Sequence, residues 1–359
     1  MDINKAILIV MAIFLTIGAV DRIFGSKFGY GDAFDEGFKA IGPLALALVG
    51  MLSISPVLAE ILEPVIVPIY ECLGADPSMF ASTILAYDMG GYDLAMDMAK
   101  SRDAGTFSGL LHGSMMGVTI AFTIPFSLRI VDKKDYNHLA KGILAGIVTI
   151  PLGCVAGGVI AGFDFGMILT NLLPIFIVAT FVSVGLWRIP ETMIFGFRIF
   201  GALITIVVTV ATAAIGIEAL TGFVVIPGMN PISGGLQTAG IIGVMLAGAF
   251  PMIHFIKKVF GRYLERLGRK LHINATAATG LLLTLANSVP MFTSVRGMDN
   301  RGKVVNIAFA VSASFAIGGN LAFTAGKDPS MIFPVVAGKL LGGMTAIILA
   351  LLLTKKEKV

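Results

Sequence analysis

Charge is scarce in this chain. Only 13% of its 359 residues are charged and 56% are hydrophobic, with a mean hydropathy of +0.91. A soluble domain carries about 25% charged residues, so the composition points to a polytopic membrane protein with little chain outside the bilayer. Cysteine is nearly missing: Cys72 and Cys154 stand alone, the second inside an apolar run, which excludes a disulfide framework. The four histidines (His112, His138, His254, His272) lack ligand spacing, and no metal site is expected. The phosphate-loop pattern is absent, since Gly338-Lys339 is followed by Leu340. No nucleophile–base pair of an enzyme is visible, no cofactor is implied, and the loops are too short for a sensor's output domain. The net charge of +4 reads as a topology signal rather than a nucleic-acid footprint. Residues 5–20 have the composition of a signal peptide, but equally apolar segments follow, so they read as an uncleaved first span.

Glycine is plentiful: there are 43, where a share of about 7% is usual. Many recur at four-residue spacing, as in Gly109, Gly113 and Gly117, or Gly142 and Gly146, Gly153 and Gly157, Gly338 and Gly342. Small residues along one helix face let backbones approach where lipid offers no hydrophobic drive for association. Close packing within the chain is the plain reading. A homodimer through one such face is permitted and not specified.

Apolar windows fall near 5–24, 40–62, 77–99, 105–130, 140–162, 165–187, 197–219, 237–257, 273–295, 303–325 and 331–353, eleven in all. If all eleven cross, the loop charges contradict the positive-inside rule. If 77–99 and 273–295 instead enter and leave on one side, the inner connections, tail 355–358 included, hold 21 Lys and Arg against 4 outside. Those two segments are the ones with internal breakers, Asp88-Met89-Gly90-Gly91 and Asn287-Ser288-Val289-Pro290. The sequence thus predicts an all-α membrane protein of about nine crossing helices plus two re-entrant hairpins.

A repeat accompanies this pattern at an offset close to 200 residues. Leu73-Gly74-Ala75-Asp76 recurs as Leu271-His272-Ile273-Asn274, Leu85-Ala86-Tyr87-Asp88 as Leu283-Thr284-Leu285-Ala286-Asn287, and Gly117 to Thr123 as Gly318 to Thr324. Two inverted five-segment repeats, 1–163 and 197–359, are then joined by a linking helix and loop at 164–196. Inverted repeats with broken helices are a recurring plan of secondary transporters. Residues 63–73, carrying Glu63, Pro64, Pro68 and Glu71, look too interrupted for a span, and the basic amphipathic stretch 257–270 suits a helix on the anionic inner surface.

The chain is organised around Leu85 to Asp93. Asp at mid-bilayer costs about 2.5–3.5 kcal/mol on insertion scales. Gly90 and Gly91 weaken the helix just beyond Asp88, and such a break survives at membrane depth only within protein or against a water-filled cavity. A small-cation site follows from these residues; the bland alternative is a surface loop between two short helices. Glu60 and Lys339 are also unusual in apolar spans, and Lys339 suits snorkelling or neutralisation of a carboxylate.

The runs Pro56 to Ala59, Pro64 to Glu71, Pro77 to Ala81, Asp88 to Gly91, Gly146 to Pro151, Thr284 to Phe292, Asp299 to Val304 and Ala308 to Ala313 resemble the ethanolamine permease family of ethanolamine-utilisation operons. The match covers nearly the whole chain. It implies ethanolamine uptake across a bacterial cytoplasmic membrane, feeding a cobalamin-dependent lyase pathway. One departure stands out: Gly319-Asn320 replaces the polar or charged residues associated with the family there. Residues 56–125 also resemble, more weakly, the gate domains of nucleoside-type and iron-type transporters, so another small amine or a nucleoside-like solute is the rival substrate.

Ethanolammonium needs a carboxylate, neutral acceptors and a small dry wall. Asp88 is expected to supply the charge. Asn287 is expected to bind the ammonium or hydroxyl, or else to cap the break beside Pro290. Asn320 and Thr119 hold matching places in the spans after the hairpins, completing the shell or tying their own backbone breaks. Tyr87 and Tyr92 are candidates to stack on the cation. Asp93 and Asp97 are expected to be solvated or paired with Lys100 or Arg102.

Overall fold

The computed structural model describes residues 2–354, which contain helices and no strand. The tail 355–358, expected on the inner side, lies outside the described residues. In order the helices are α1 (Ile3–Ile23), α2 (Tyr30–Lys39), α3 (Ile41–Cys72), α4 (Ser78–Ile84), α5 (Tyr92–Met98), α6 (Arg102–Thr106), α7 (Ile124–Ile130), α8 (Tyr136–Ala161), α9 (Phe165–Arg188), α10 (Pro190–Thr221), α11 (Ile232–Leu271), α12 (Ala275–Ala286), α13 (Ser288–Ser294), α14 (Asn300–Ala313), α15 (Gly319–Lys327) and α16 (Ile332–Leu353). Between α6 and α7 the chain stays helical through two π-helical runs, Phe107–Gly117 and Thr119–Thr123. By length and composition, eight helical stretches of the described residues are apolar enough to cross a membrane.

Three expectations change in detail. The segment 303–325 is split: α14 ends at Ala313, and the chain runs irregularly to Gly319 before α15. Residues 63–73 continue α3 despite Pro64 and Pro68. The basic stretch 257–270 continues α11 to Leu271. At 1.5 Å per residue, a helix of 40 residues is about 60 Å long, twice the bilayer's hydrocarbon thickness of about 30 Å. Hydropathy windows miss this because a helix does not stop where its apolar stripe does.

The chain packs as two compact units. One comprises residues 1–40, 126–153 and 242–359. In it Asp21, buried on α1, accepts the backbone N–H groups of Phe28, Tyr30 and Gly31 at 3.1, 2.9 and 3.0 Å, so the turn into α2 is held by a fully used carboxylate. Gly248 lies against α1, where a Cβ would sit 2.6 Å from Met11 O. Gly142 and Gly146 of α8 receive the side chains of Ile307 and Val311 of α14. Asn4 ties the N-terminus to the start of α16, donating to Ser330 O at 2.9 Å and accepting from Phe333 N at 2.8 Å. Lys303 is buried in α14 with its Nζ 2.7 Å from the buried Asp135 carboxylate.

The other unit comprises residues 41–125 and 154–241. Here α3 packs along α10, and Gly50 allows it: a Cβ would stand 2.5 Å from both Val208 O and Thr212 Oγ1. The stripe Gly109, Gly113, Gly117 packs within the chain, its members facing Tyr92, Ser82 and Leu85 in turn.

Candidate functional site: two helix breaks

Each unit contains one segment that returns to where it began. In the second unit the carboxylate of Asp76 accepts from Ser78 N at 2.9 Å, starting α4, and from Lys100 N at 3.0 Å, just past the end of α5. One side chain thus ties both ends of 77–99. In the first unit Asp299 does the same for the other segment, accepting from Asn274 N at 2.8 Å and Gly302 N at 3.0 Å, while Asn274 Nδ2 donates to Gly297 O at 2.9 Å. Both segments are therefore closed helix–break–helix loops.

The first break opens before the glycines. α4 ends at Ile84, Leu85 and Ala86 are extended, and Tyr87–Gly91 form one π-type turn. Gly90 has φ +83, the left-handed region, and a Cβ there would lie 2.4 Å from Met51 Cβ. Gly91 sits under the carbonyls of Leu85 and Ala86, 2.6 and 2.7 Å from where its Cβ would be. The glycine pair is thus demanded by backbone geometry, which places Asp88 half-buried on the break rather than on a regular helix.

The second break is shorter and neutral. Asn287 is a single extended residue between α12 and α13, and its Oδ1 caps Val289 N at 2.9 Å. The irregular stretch after α14 supplies the donors that the end of α12 lacks. Phe315 N and Ile317 N each donate at 3.0 Å, to Thr284 O and Leu285 O. Gly318 comes so near that a Cβ would be 2.1 Å from Ala286 O. Phe315 holds φ +61, a conformation that bulky residues rarely adopt and that gathers at functional sites. Ser288 Oγ and Asn320 Nδ2 are buried beside this break without a hydrogen-bond partner among the described residues.

The remaining candidates divide between the units. Tyr87 is buried, and Tyr92 rests its ring on Gly109, where a Cβ would lie 2.7 Å from Cδ2. Thr119 donates to Met115 O at 2.7 Å, tying its own π-helical backbone. Those three belong with Asp88, whereas Asn287, Pro290 and Asn320 belong to the other unit. Asp97 is exposed, as the solvated alternative expects, and accepts from Ser55 Oγ at 2.6 Å, while Lys100 pairs with Glu71. Glu60 is exposed on α3, and Lys339 is fully buried in α16. Sequence spacing passed over His112, which is buried beside the first break; two i, i+4 pairs, Ser78 with Ser82 and Ser108 with His112, were the available signal.

Eight long apolar helices among the described residues define a polytopic helical membrane protein. The particular family is given by sequence. The model of "Ethanolamine utilisation protein, EutH" matches residues 3–353, and the chain belongs to that family. It is 52% identical over 347 residues to the "Probable ethanolamine permease EutH" of Listeria monocytogenes, covering 97% of this chain and 93% of the relative. The "Uncharacterized protein YxeR" of Bacillus subtilis is 49% identical over 96% of this chain and 94% of its own length. The "Probable ethanolamine permease EutH" of Salmonella typhimurium is 46% identical, with 99% and 97% covered. No solved structure matches the chain. Family and helices together make it a multi-pass protein of the bacterial inner membrane.

Proposed function

We propose that this protein is a permease, not an enzyme, that admits ethanolamine as the ammonium ion for catabolism. The observation that carries the reading is Asp88, a half-buried carboxylate on an unwound tip within a unit of apolar helices. A carboxylate at membrane depth carries a desolvation cost, and a bound cation offsets that penalty. The relatives' names supply the substrate, and the mechanism is facilitated diffusion or ion-coupled alternating access.

Asp88 carries the charge, flanked by Tyr87, Tyr92 and Thr119. Asn287 and Asn320 at the neutral break supply hydrogen-bonding groups. The halves 1–163 and 197–359 act as inverted repeats joined by 164–196, and 77–99 and 273–295 as re-entrant hairpins among about nine crossings. The paired ties at Asp76 and Asp299 support that plan.

The test is uptake of labelled ethanolamine into proteoliposomes, with pH, sodium and voltage gradients imposed separately. Saturable uptake that excess unlabelled ethanolamine abolishes and a nucleoside does not is expected. Uptake no faster than into protein-free vesicles, or competition by nucleosides alone, would overturn the reading.

A further inference from the structure

The π-helical run Phe107–Gly117 has a fully buried histidine at its centre that the reading above leaves unused. His112 Nδ1 lies 2.9 Å from Ser82 Oγ, Ser82 Oγ lies 2.7 Å from Ser108 Oγ, and Ser108 Oγ lies 2.8 Å from the carbonyl of Ser78. Ser82 Oγ also lies 3.3 Å from Met79 O, and carbonyls only accept, so each hydroxyl proton has an acceptor other than the imidazole. Ser108 donates to Ser78 O or to Ser82, Ser82 donates to Met79 O or to Ser108, and in either case His112 Nδ1–H donates to Ser82. The reverse direction makes one bond fewer and strands a buried N–H, the rarer kind of orphan. In its neutral form the imidazole therefore carries its proton on Nδ1 and a bare lone pair on Nε2. That Nε2 is buried and has no hydrogen-bond partner among the described residues.

Its place is as informative as its tautomer. The same helical stretch touches both ends of the first break: Gly109 lies under Tyr92, and Gly117 lies against the carbonyl of Leu85. His112 is three residues from one contact and five from the other. π-Helical turns are rare and gather at functional sites, and this one turns an imidazole inward beside the unwound tip. A packing role alone would be met by an apolar side chain, with no pair of serine hydroxyls to fix the ring.

We infer that His112 Nε2 is a further binding contact for the transported primary ammonium, accepting one of its N–H groups as a neutral partner to the charge of Asp88. This rests on the first break being the cation's site. A neutral acceptor suits the task, because it adds a directed bond without adding a second charge that would hold the cation too tightly to release. Ser82 is the positioning residue, acting through the tautomer it fixes.

The experiment uses the full chain in proteoliposomes and follows initial uptake of labelled ethanolamine for wild type, His112→Ala, His112→Gln and Ser82→Ala at matched protein. Loss of a hydrogen bond to a charged group should raise KM about tenfold or more in His112→Ala with the maximal rate little changed. His112→Gln, whose Oε1 can replace the acceptor, should recover most of that loss, and Ser82→Ala should fall between. In protein labelled with 15N-histidine, the His112 Nε2 signal, assigned by its absence in His112→Gln, should be that of an unprotonated nitrogen. It should move on saturation with ethanolamine and stay fixed with ethylene glycol, which lacks the ammonium.

A KM for His112→Ala within about twofold of wild type overturns the inference. So does a loss confined to maximal rate, a glutamine variant no better than alanine, or an Nε2 signal that ethanolamine leaves unmoved. The labelled wild-type protein gives that last result even if a variant fails to fold. Wild-type vesicles that take up no ethanolamine sink the permease reading itself; wild-type uptake with a normal His112→Ala sinks only the histidine.

Discussion

At the scale of single residues, neighbouring groups of one chemical type have different standing. Asp88 lies half-buried on the break, whereas Asp97 is exposed and bonded to Ser55. Asp88→Asn keeps shape while removing charge, so uptake at matched surface expression should fall severely, and Asp97→Asn should be mild. Near-normal transport by Asp88→Asn would place the cation elsewhere. Lys303 and Asp135 form a buried pair 2.7 Å apart. Lys303→Met strands a buried carboxylate and should cost about 3–5 kcal/mol, while adding Asp135→Leu should restore much of it. Thermal unfolding of the single and double variants checks this; a double variant less stable than Lys303→Met would contradict it.

At the scale of elements, each closed loop hangs on one aspartate. Asp76→Ala loses the bonds to Ser78 N and Lys100 N, and Asp299→Ala those to Asn274 N and Gly302 N. At about 1 kcal/mol per bond, each variant should lose about 2 kcal/mol. Lower unfolding midpoints for both in detergent, with Asp103→Ala on the exposed start of α6 as control, are expected. Midpoints equal to the control's would mean the ties do not hold the loops. The breakers Gly90, Gly91 and Pro290 were legible because each has a local steric meaning. The break at Ser314 to Gly318 was not, since Phe315 is held left-handed by bonds to residues about thirty positions away. Likewise α3 and α11 overrun their apolar stripes because intrahelical bonds continue wherever packing or water satisfies the side chains.

At the scale of the whole molecule, the distribution of lysine and arginine sets orientation. In a background with Cys72 and Cys154 replaced, Arg102→Cys should label from outside and Lys134→Cys from the cytoplasm; both parent side chains are exposed, and one long helical stretch, Arg102–Ile130, separates them. Labelling from the same side would refute the hairpin topology of the first half. Growth supplies a second check. A primary amine with a pKa near lysine's, about 10.4, is neutral in under about one molecule in a thousand at pH 7 and ten times rarer per unit below. Dependence on this protein for growth on limiting ethanolamine should therefore steepen as external pH falls from 8.5 to 6. Equal dependence at both would count against a carrier of the charged form.

Composition alone determined that this chain lives in a bilayer, because 13% charge cannot clothe a soluble surface of this size. Breakers inside apolar runs located both unwound tips, and long motif runs gave the family. What only the tertiary structure decided is which polar groups are satisfied. Asn287 caps its own helix, Thr119 ties its own backbone, and His112 Nδ1 meets the Ser82 hydroxyl at 2.9 Å. Periodicity records which face of a helix is apolar. It does not record where a hydrogen bond ends, since that depends on two helices meeting at one register.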